Sequence, residues 1–182
     1  MTNYPVHTIE SAPAGSQAAL AALKHSLGIV PNLAATMASA PPLVNSFVAV
    51  FGQFRGGSFT PGERQALLLA NAVANTCPWA VAFHSTLALH DGVAADDVDA
   101  IRRGASPGEV RIAALVALTR ALIAKRGHLD EAELRGFVAA GFRHEQALEV
   151  IAGLAISVMA NYTGNITNPP LEPAFQPQAW RY

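Results

Sequence analysis

The sequence predicts an all-α protein, folded as a compact bundle of roughly seven to eight helices. Alanine fills 36 of the 182 positions, 51% of the residues are hydrophobic and 7% are aromatic. Because alanine is the strongest helix former, this composition favours closely packed helices. Prolines, glycines and capping residues also recur at helix-length intervals, and no β-branched run alternates as a strand does. At 19.0 kDa, residues 1–182 are predicted to form a single domain.

The predicted helices are delimited by the residues at their ends. Residues 1–15 form an irregular N-terminal arm, Ser16 is the N-cap of the first helix, and Gly28 ends it. Further helices are predicted at residues 32–39, 41–54, 61–74, 78–90, 95–103, 107–126, 130–140 and 145–162. The tail, residues 167–182, holds four of the twelve prolines. It is predicted to be extended and packed against its own or a neighbouring subunit.

Two of the helix starts share a pattern. Thr-Pro-Gly-Glu at residues 60–63 and Ser-Pro-Gly-Glu at residues 106–109 each predict a capping box, with the hydroxyl at the N-cap and the glutamate at the third helical position. The match indicates either a repeated helical unit or the independent use of a good cap.

Charge and cysteine content restrict the partners and the location. Lys and Arg total 12 against 13 Asp and Glu, and basic residues cluster no further than adjacent pairs such as Arg102-Arg103, so nucleic acid binding is not expected. The sequence shows no signal peptide, and its longest apolar stretch, residues 147–160, is shorter than the about 20 residues of a membrane span. A single cysteine allows no internal disulfide. We therefore expect a cytoplasmic protein without membrane contact.

One group of residues carries candidate chemistry. Cys77 precedes Pro78, which suits the first position of a new helix, so Cys77 is its predicted N-cap. The helix dipole there favours a thiolate. His84 follows seven residues later, on nearly the same face but about 10.5 Å along the axis, which is too far for a direct hydrogen bond. Ala80 lies between them and offers neither a proton nor a sulfur.

These residues resemble a known motif. Glu63-Arg64-Gln65, Asn75-Thr76-Cys77-Pro78-Trp79-Ala80 and His84-Ser85-Thr86 are similar to the core of the carboxymuconolactone decarboxylase superfamily, in its alkyl hydroperoxidase D-like branch. That core has a Cys-x-x-Cys at a helix start and a histidine four residues after the second cysteine. Residues 161–166 with Pro170-Leu171-Glu172 also resemble the closing segment of peroxidase-related members.

The resemblance implies an all-α fold, usually a trimer or hexamer, and dithiol peroxidase chemistry in which glutamate and histidine move protons. Cys77 matches the first cysteine and His84 the histidine, but Ala80 occupies the position of the second cysteine. Gln65 stands where the acid of the proton relay commonly falls. Glu63, two residues earlier, could replace that acid, although capping also explains it.

The expected function is thus a thiol-dependent, antioxidant peroxidase. It would use Cys77 on a small hydroperoxide, with His84, Glu63 and Gln65 as catalytic residues, Trp79 and Ala80 in the substrate pocket, and an external thiol as the reductant. One alternative is a non-redox lyase or isomerase that acts on a lactone-like substrate with His84 as the base. The other is a non-catalytic, ligand-binding helical oligomer.

Each of these residues also has a purely structural interpretation. Cys77 could be a small buried hydrophobe, His84 a core histidine, and the aromatic residues part of the core or of an interface. No cofactor and no metal are expected. Half of the residues are hydrophobic, which predicts a homo-oligomer, a dimer, trimer or hexamer.

Overall fold

The computed structural model describes residues 4–181, so the first three residues of the predicted arm and Tyr182 at the end of the tail lie outside the described residues. The all-α fold is confirmed. The described part has nine α-helices, which correspond to the nine ranges predicted from the sequence and exceed the seven to eight expected for the bundle as a whole. In order they are α1 (Ala14–Leu27), α2 (Asn32–Met37), α3 (Pro41–Arg55), α4 (Pro61–Ala74), α5 (Pro78–His90), α6 (Ala95–Arg102), α7 (Val110–Lys125), α8 (Glu131–Ala139) and α9 (His144–Thr167), followed by a 3-10 helix (Pro173–Gln178).

Helix α4 lies at the centre of the bundle, where it packs against α5, α6, α7 and α9. Its buried face consists of small and branched residues, Ala66 to Ala70 among them. Helix α9 packs along α2, α3 and α4. By length and composition it is also the one helix within residues 4–181 that could cross a membrane, and 44% of that apolar window is buried inside the fold.

The first predicted capping box is confirmed at the start of α4. The Thr60 hydroxyl accepts the Glu63 N–H at 3.2 Å, and the Glu63 carboxylate accepts the Thr60 N–H at 2.9 Å. The second box is wrong, because α7 begins only at Val110 and Glu109 is its N-cap rather than its third residue. The Glu109 carboxylate accepts two backbone N–H groups of the first turn. The two helix starts therefore differ, and the hypothesis of a repeated helical unit has no support from them.

The predicted N-cap of α1 is also wrong. The helix begins at Ala14, with Pro13 in the N-cap position, because proline is already set at a φ that suits a helix start. Ser16 lies inside the helix, fully buried, and its hydroxyl donates to the Ala38 carbonyl at 2.7 Å. This bond joins α1 to the end of α2. Gly28 ends α1 in the left-handed region, as the sequence predicts.

The break between α4 and α5 lies where the sequence predicts it. Asn75 ends α4, Thr76 takes a positive φ of 47°, and Cys77 is extended at the N-cap of α5. Pro78 then occupies the first turn, where its missing N–H costs no hydrogen bond. This tight turn folds α5 back against α4 and brings Cys77 under α9.

The sequence predicts an extended C-terminal tail, but the tail contains the 3-10 helix. It docks on α5 of its own chain. Phe175 is buried and packs edge-on against Trp79 and Phe83, with ring centroids 6.2 and 5.0 Å away. Arg102 holds the end of the tail by donating to the carbonyls of Gln178 and Ala179. The proline-rich composition of the tail predicts neither the packing of Phe175 on α5 nor the hydrogen bonds from Arg102, because both partners come from distant parts of the chain.

A glycine allows α9 to cross directly over Cys77. A Cβ atom at Gly164 would lie 2.8 Å from the Cys77 Sγ and 3.1 Å from Leu33. Side-chain atoms do not pack at such short distances. The thiol therefore fills the space that a side chain at position 164 would need.

We expect Gly164→Ala to lower the free energy of unfolding by about 1–2 kcal/mol, because overpacking outweighs the better helix propensity of alanine. In a Cys77→Ala background much of this loss should disappear, as denaturant unfolding of the double-mutant cycle can measure. Gly153→Ala is the matched control, since its Cβ would meet Leu67 instead. A Gly164→Ala cost that is unchanged by Cys77→Ala would contradict the contact.

Candidate functional site

A small cavity of about 40 Å³ lies at the centre of the helices and forms the candidate site. One water molecule needs about 10–15 Å³ of cavity volume, so the cavity has room for about three waters or one small ring. The walls are apolar apart from two side chains, His84 and Ser157. The lining residues are Leu23, Leu27, Pro31, Leu33, Ala34, Phe47, Phe51, Leu68, Trp79, Ala80, Phe83, His84, Ile156, Ser157 and Ala160.

One side of the cavity approaches the surface. Leu27, Phe51 and His84 are half-buried, whereas the other lining residues are buried. These three belong to α1, α3 and α5. A ligand would therefore enter between the first and third helices, past a leucine, a phenylalanine and the imidazole.

His84 and Gln65 form a hydrogen-bonded pair across α4 and α5. The His84 Nδ1 lies 3.0 Å from the Gln65 Oε1. With the amide oxygen facing the ring, Nδ1 carries the proton and Nε2 keeps its free lone pair. Within residues 4–181 no protein group bonds to Nε2. Burial lowers the pKa of His84 from 6.5 to about 3, so the ring is neutral at physiological pH.

Cys77 is placed differently from the expectation. It is fully buried, and among the residues that the structure describes it is not part of the cavity lining. Burial raises the pKa of the thiol, and the backbone N–H groups of Ala80 and Trp79 oppose this only in part. The predicted preference for a thiolate is thus wrong, because desolvation outweighs the helix N-terminus.

Glu63 is held in a structural role. One carboxylate oxygen caps α4, and the other accepts hydrogen bonds from the Arg111 Nε and Nη2 at 3.0 and 2.8 Å. The Arg111 guanidinium in turn lies 4.0 Å from the centre of the Phe142 ring. Glu63 lines a separate surface groove rather than the cavity of His84.

Trp79 and Ala80 both line the cavity. The Trp79 ring stacks on Phe83 at 5.0 Å, and its Nε1 donates to the Glu172 carboxylate at 2.9 Å. Glu172 also accepts the backbone N–H of Asn32 at 2.7 Å. This carboxylate fixes the indole from outside the cavity, a role that no local pattern predicts because its partners are 93 and 140 residues away.

Ser157 is a cavity residue that the sequence analysis missed. It is buried on α9 between apolar neighbours, and its only sequence signal is a hydroxyl on an otherwise apolar helix face. As for metals, the part of the chain described here contains no group of three or more His, Cys, Asp or Glu side chains that could hold an ion.

Comparison with known proteins gives a family match over part of the chain and a shared fold. Residues 41–119 match the model of the carboxymuconolactone decarboxylase family. A peroxidase-related protein with an alkylhydroperoxidase AhpD core, from Ralstonia eutropha JMP134, has a similar structure, with a TM-score of 0.81 and 22% identity over 95% of this chain and 93% of the other. No curated protein matches the chain.

A second protein of this fold is the debrominase Bmp8, with a TM-score of 0.77 and 21% identity over 98% of this chain and 96% of its own. A cysteine-to-alanine variant of that debrominase, in complex with 2,3,4-tribromopyrrole, gives a TM-score of 0.73 at 19% identity, over 98% and 95% of the two chains. At these identities the likeness shows a shared fold.

The low pKa of His84 predicts a stability that depends on pH. Between pH 6.5 and about 3 the unfolded chain binds a proton at His84 that the folded protein does not, so the free energy of unfolding falls as the pH falls through this range. By pH 5 the loss amounts to about 1–2 kcal/mol. His84→Gln should reduce this dependence in thermal unfolding curves measured between pH 7 and pH 5. A His84→Gln slope equal to that of the wild-type chain would contradict the burial of a neutral His84.

Proposed function

Residues 41–119 match the carboxymuconolactone decarboxylase family, and from this premise we propose that the chain is an enzyme that transfers protons at His84 rather than electrons at Cys77. The observation that carries the proposal is the composition of the cavity. His84 and Ala80 line it, whereas the thiol lies behind the wall against Gly164. A substrate in the cavity therefore meets an imidazole and no sulfur.

The state of His84 suits this chemistry. A glutamate at position 65 would attract a second proton to the ring, whereas the neutral amide of Gln65 does not. The imidazole then keeps one donor, which is occupied by Gln65, and one free acceptor at Nε2. A neutral base in an apolar cavity can accept a proton when negative charge develops on the substrate beside it.

The proposed step needs no co-reactant. The Nε2 lone pair takes a proton from an acidic carbon of the substrate, and the electrons of that C–H bond move into the conjugated group of the substrate. The imidazolium that forms keeps its Nδ1–H bond to Gln65. The proton then returns to a different carbon, which regenerates neutral His84 and leaves an isomer, as in the lyase or isomerase interpretation of the sequence.

A single-cysteine thiol peroxidase is the second candidate. It is favoured by the family and by the peroxidase-related protein of the same fold. Ordered N–H groups of Trp79 and Ala80 also lower the pKa of the Cys77 thiol, against the larger effect of burial. In this mechanism the thiolate would attack a hydroperoxide, and an external thiol would reduce the sulfenic acid.

Two assays on the same variants separate the candidates. The first follows the double-bond shift of α-angelica lactone, a small neutral carbon acid, by absorbance, and the second follows consumption of an organic hydroperoxide with a small thiol as the reductant. We expect lactone isomerisation to fall by at least about tenfold in His84→Gln and to persist in Cys77→Ala, because a positioned base contributes about 10²–10⁴-fold. Peroxide turnover that is lost in Cys77→Ala, without any lactone isomerisation, would overturn the proposal in favour of the peroxidase.

We also propose that the chain forms a homo-oligomer, in the cytoplasm, through the outer face of α9. Leu148, Ile151, Val158 and Tyr162 are exposed there, with Ala155 between them. Their spacing of three and four residues places them on one stripe, which is typical of a helix that packs against another helix. A second copy of the chain would cover this stripe with the same residues.

Light scattering tests the assembly. We expect a mass well above 19.0 kDa for the wild-type chain and a shift to the monomer for Ile151→Glu combined with Val158→Glu, because the two carboxylates of each subunit would be buried against those of its partner. Val110→Glu, at an exposed apolar residue outside the stripe, is the control. A wild-type mass of 19.0 kDa would refute the oligomer.

A further inference from the structure

Ser157 is an unusual hydroxyl in this protein. The buried or partly buried threonines of the helices, Thr36, Thr86, Thr119, Thr163 and Thr167, each donate to a carbonyl three or four residues earlier. The buried serines Ser16 and Ser85 are also hydrogen-bonded. Ser157 is 3% exposed, and within residues 4–181 its hydroxyl has no hydrogen-bond partner.

Among the described residues, Asn161 Nδ2 is the fully enclosed side-chain polar atom without a partner, so the unpaired Ser157 hydroxyl is instead open to accessible space. The Ser157 side chain lines the cavity, so the space where its partner would lie is the ligand space itself. His84 lines the same cavity from α5, whereas Ser157 comes from α9. The cavity thus offers a free acceptor, Nε2, and a free donor, the serine O–H.

These two groups have the chemistry that the two ends of one proton transfer require. When a base removes a proton from a carbon beside a carbonyl, negative charge collects on the carbonyl oxygen. A donor placed at that oxygen stabilises the charge more in the transition state than in the ground state. His84 can take the proton while Ser157 donates to the oxygen.

The rest of the lining restricts the charge of the substrate. Among the described residues that line the cavity, none is an Arg, Lys, Asp or Glu, and His84 is neutral. An ionised carboxylate would enter without a partner, at a cost far above what one serine can offset. A neutral carbonyl needs only one donor.

We propose that Ser157 is the hydrogen-bond donor to the carbonyl oxygen of the substrate, and that the site takes small, uncharged, cyclic carbonyl compounds and rejects their carboxylates. The inference rests on the proposed proton transfer at His84 for its catalytic part, but its binding part stands alone. The cavity volume of about 40 Å³ limits the ligand to a single small ring.

Binding is tested with three probes of similar size. γ-Valerolactone has the ring and the carbonyl, 2-methyltetrahydrofuran has the same ring and methyl group without the carbonyl, and levulinate is a carboxylate. With the wild-type chain, calorimetry should give a Kd for the lactone about fivefold below that for the ether, the worth of one hydrogen bond. Levulinate should not bind.

The decisive variant is Ser157→Ala. The matched control is Ser16→Ala, which also removes a buried serine hydroxyl, but one that is hydrogen-bonded to Ala38 and lies outside the cavity. Ser157→Ala should bring the lactone and ether affinities to within twofold and slow α-angelica lactone isomerisation by about 10- to 100-fold in kcat. Its melting temperature should not fall, because no hydrogen bond is lost. Ser16→Ala should lower the melting temperature and leave the affinity ratio unchanged.

The outcomes distinguish this inference from the function on which it rests. Three results would each overturn the assignment, even if His84-dependent isomerisation persists. They are a preference for the lactone that survives in Ser157→Ala, levulinate binding as tight as that of the lactone, and no binding of the lactone. The expected binding pattern without any isomerisation supports the donor and the ligand class, and counts against the proton transfer at His84.

Discussion

The close crossing of α9 over the start of α5 is the constraint on which the candidate site depends. Gly164 lets the two backbones approach until the Cys77 Sγ fills the gap between them. Once the thiol is fixed there, helical periodicity turns Ala80 and His84 towards the cavity, and the preceding turns of α9 supply Ser157 to the same space. The position of one sulfur atom in the packing therefore decides which side chains a ligand can meet.

The electrostatics follow from the same arrangement. A cysteine at a helix N-terminus is reactive when water or a cation reaches it, but here desolvation raises its pKa. Burial acts on His84 in the opposite sense, since the charged form of an imidazole is its protonated form. Both groups are thus held neutral, and the amide of Gln65 maintains this state because it adds a hydrogen bond without adding a charge.

The C-terminal tail supports the site from outside. Glu172 bonds at once to the Trp79 indole and to the backbone at the start of α2, and Phe175 covers the Trp79 and Phe83 rings. Two walls of the cavity, α2 and α5, are therefore tied to each other through a residue that never lines it. Trp79 and Phe83 form a firm wall because their rings stack on each other and Phe175 packs edge-on against both.

Much of this protein could be read from its sequence by itself. Local signals of capping and proline placement determined most helix ends, and Cys77 with His84 seven residues later predicted the family resemblance and the helix that carries the site. At the starts of α1 and α7 the local pattern selected the wrong N-cap. Ser16 is instead hydrogen-bonded to Ala38, and Asp97 of α6 accepts the N–H groups of Gly108 and Glu109, so distant residues hold both segments.

The tertiary structure alone decided the exposure of Cys77, the tautomer and charge of His84, and the presence of Ser157 and Glu172 around the cavity. These properties depend on burial and on partners up to 140 residues away, such as the one that joins Glu172 to Asn32. Residue types and spacing determine which groups a helix carries. The packing of the other helices determines whether water, a proton or a ligand can reach them.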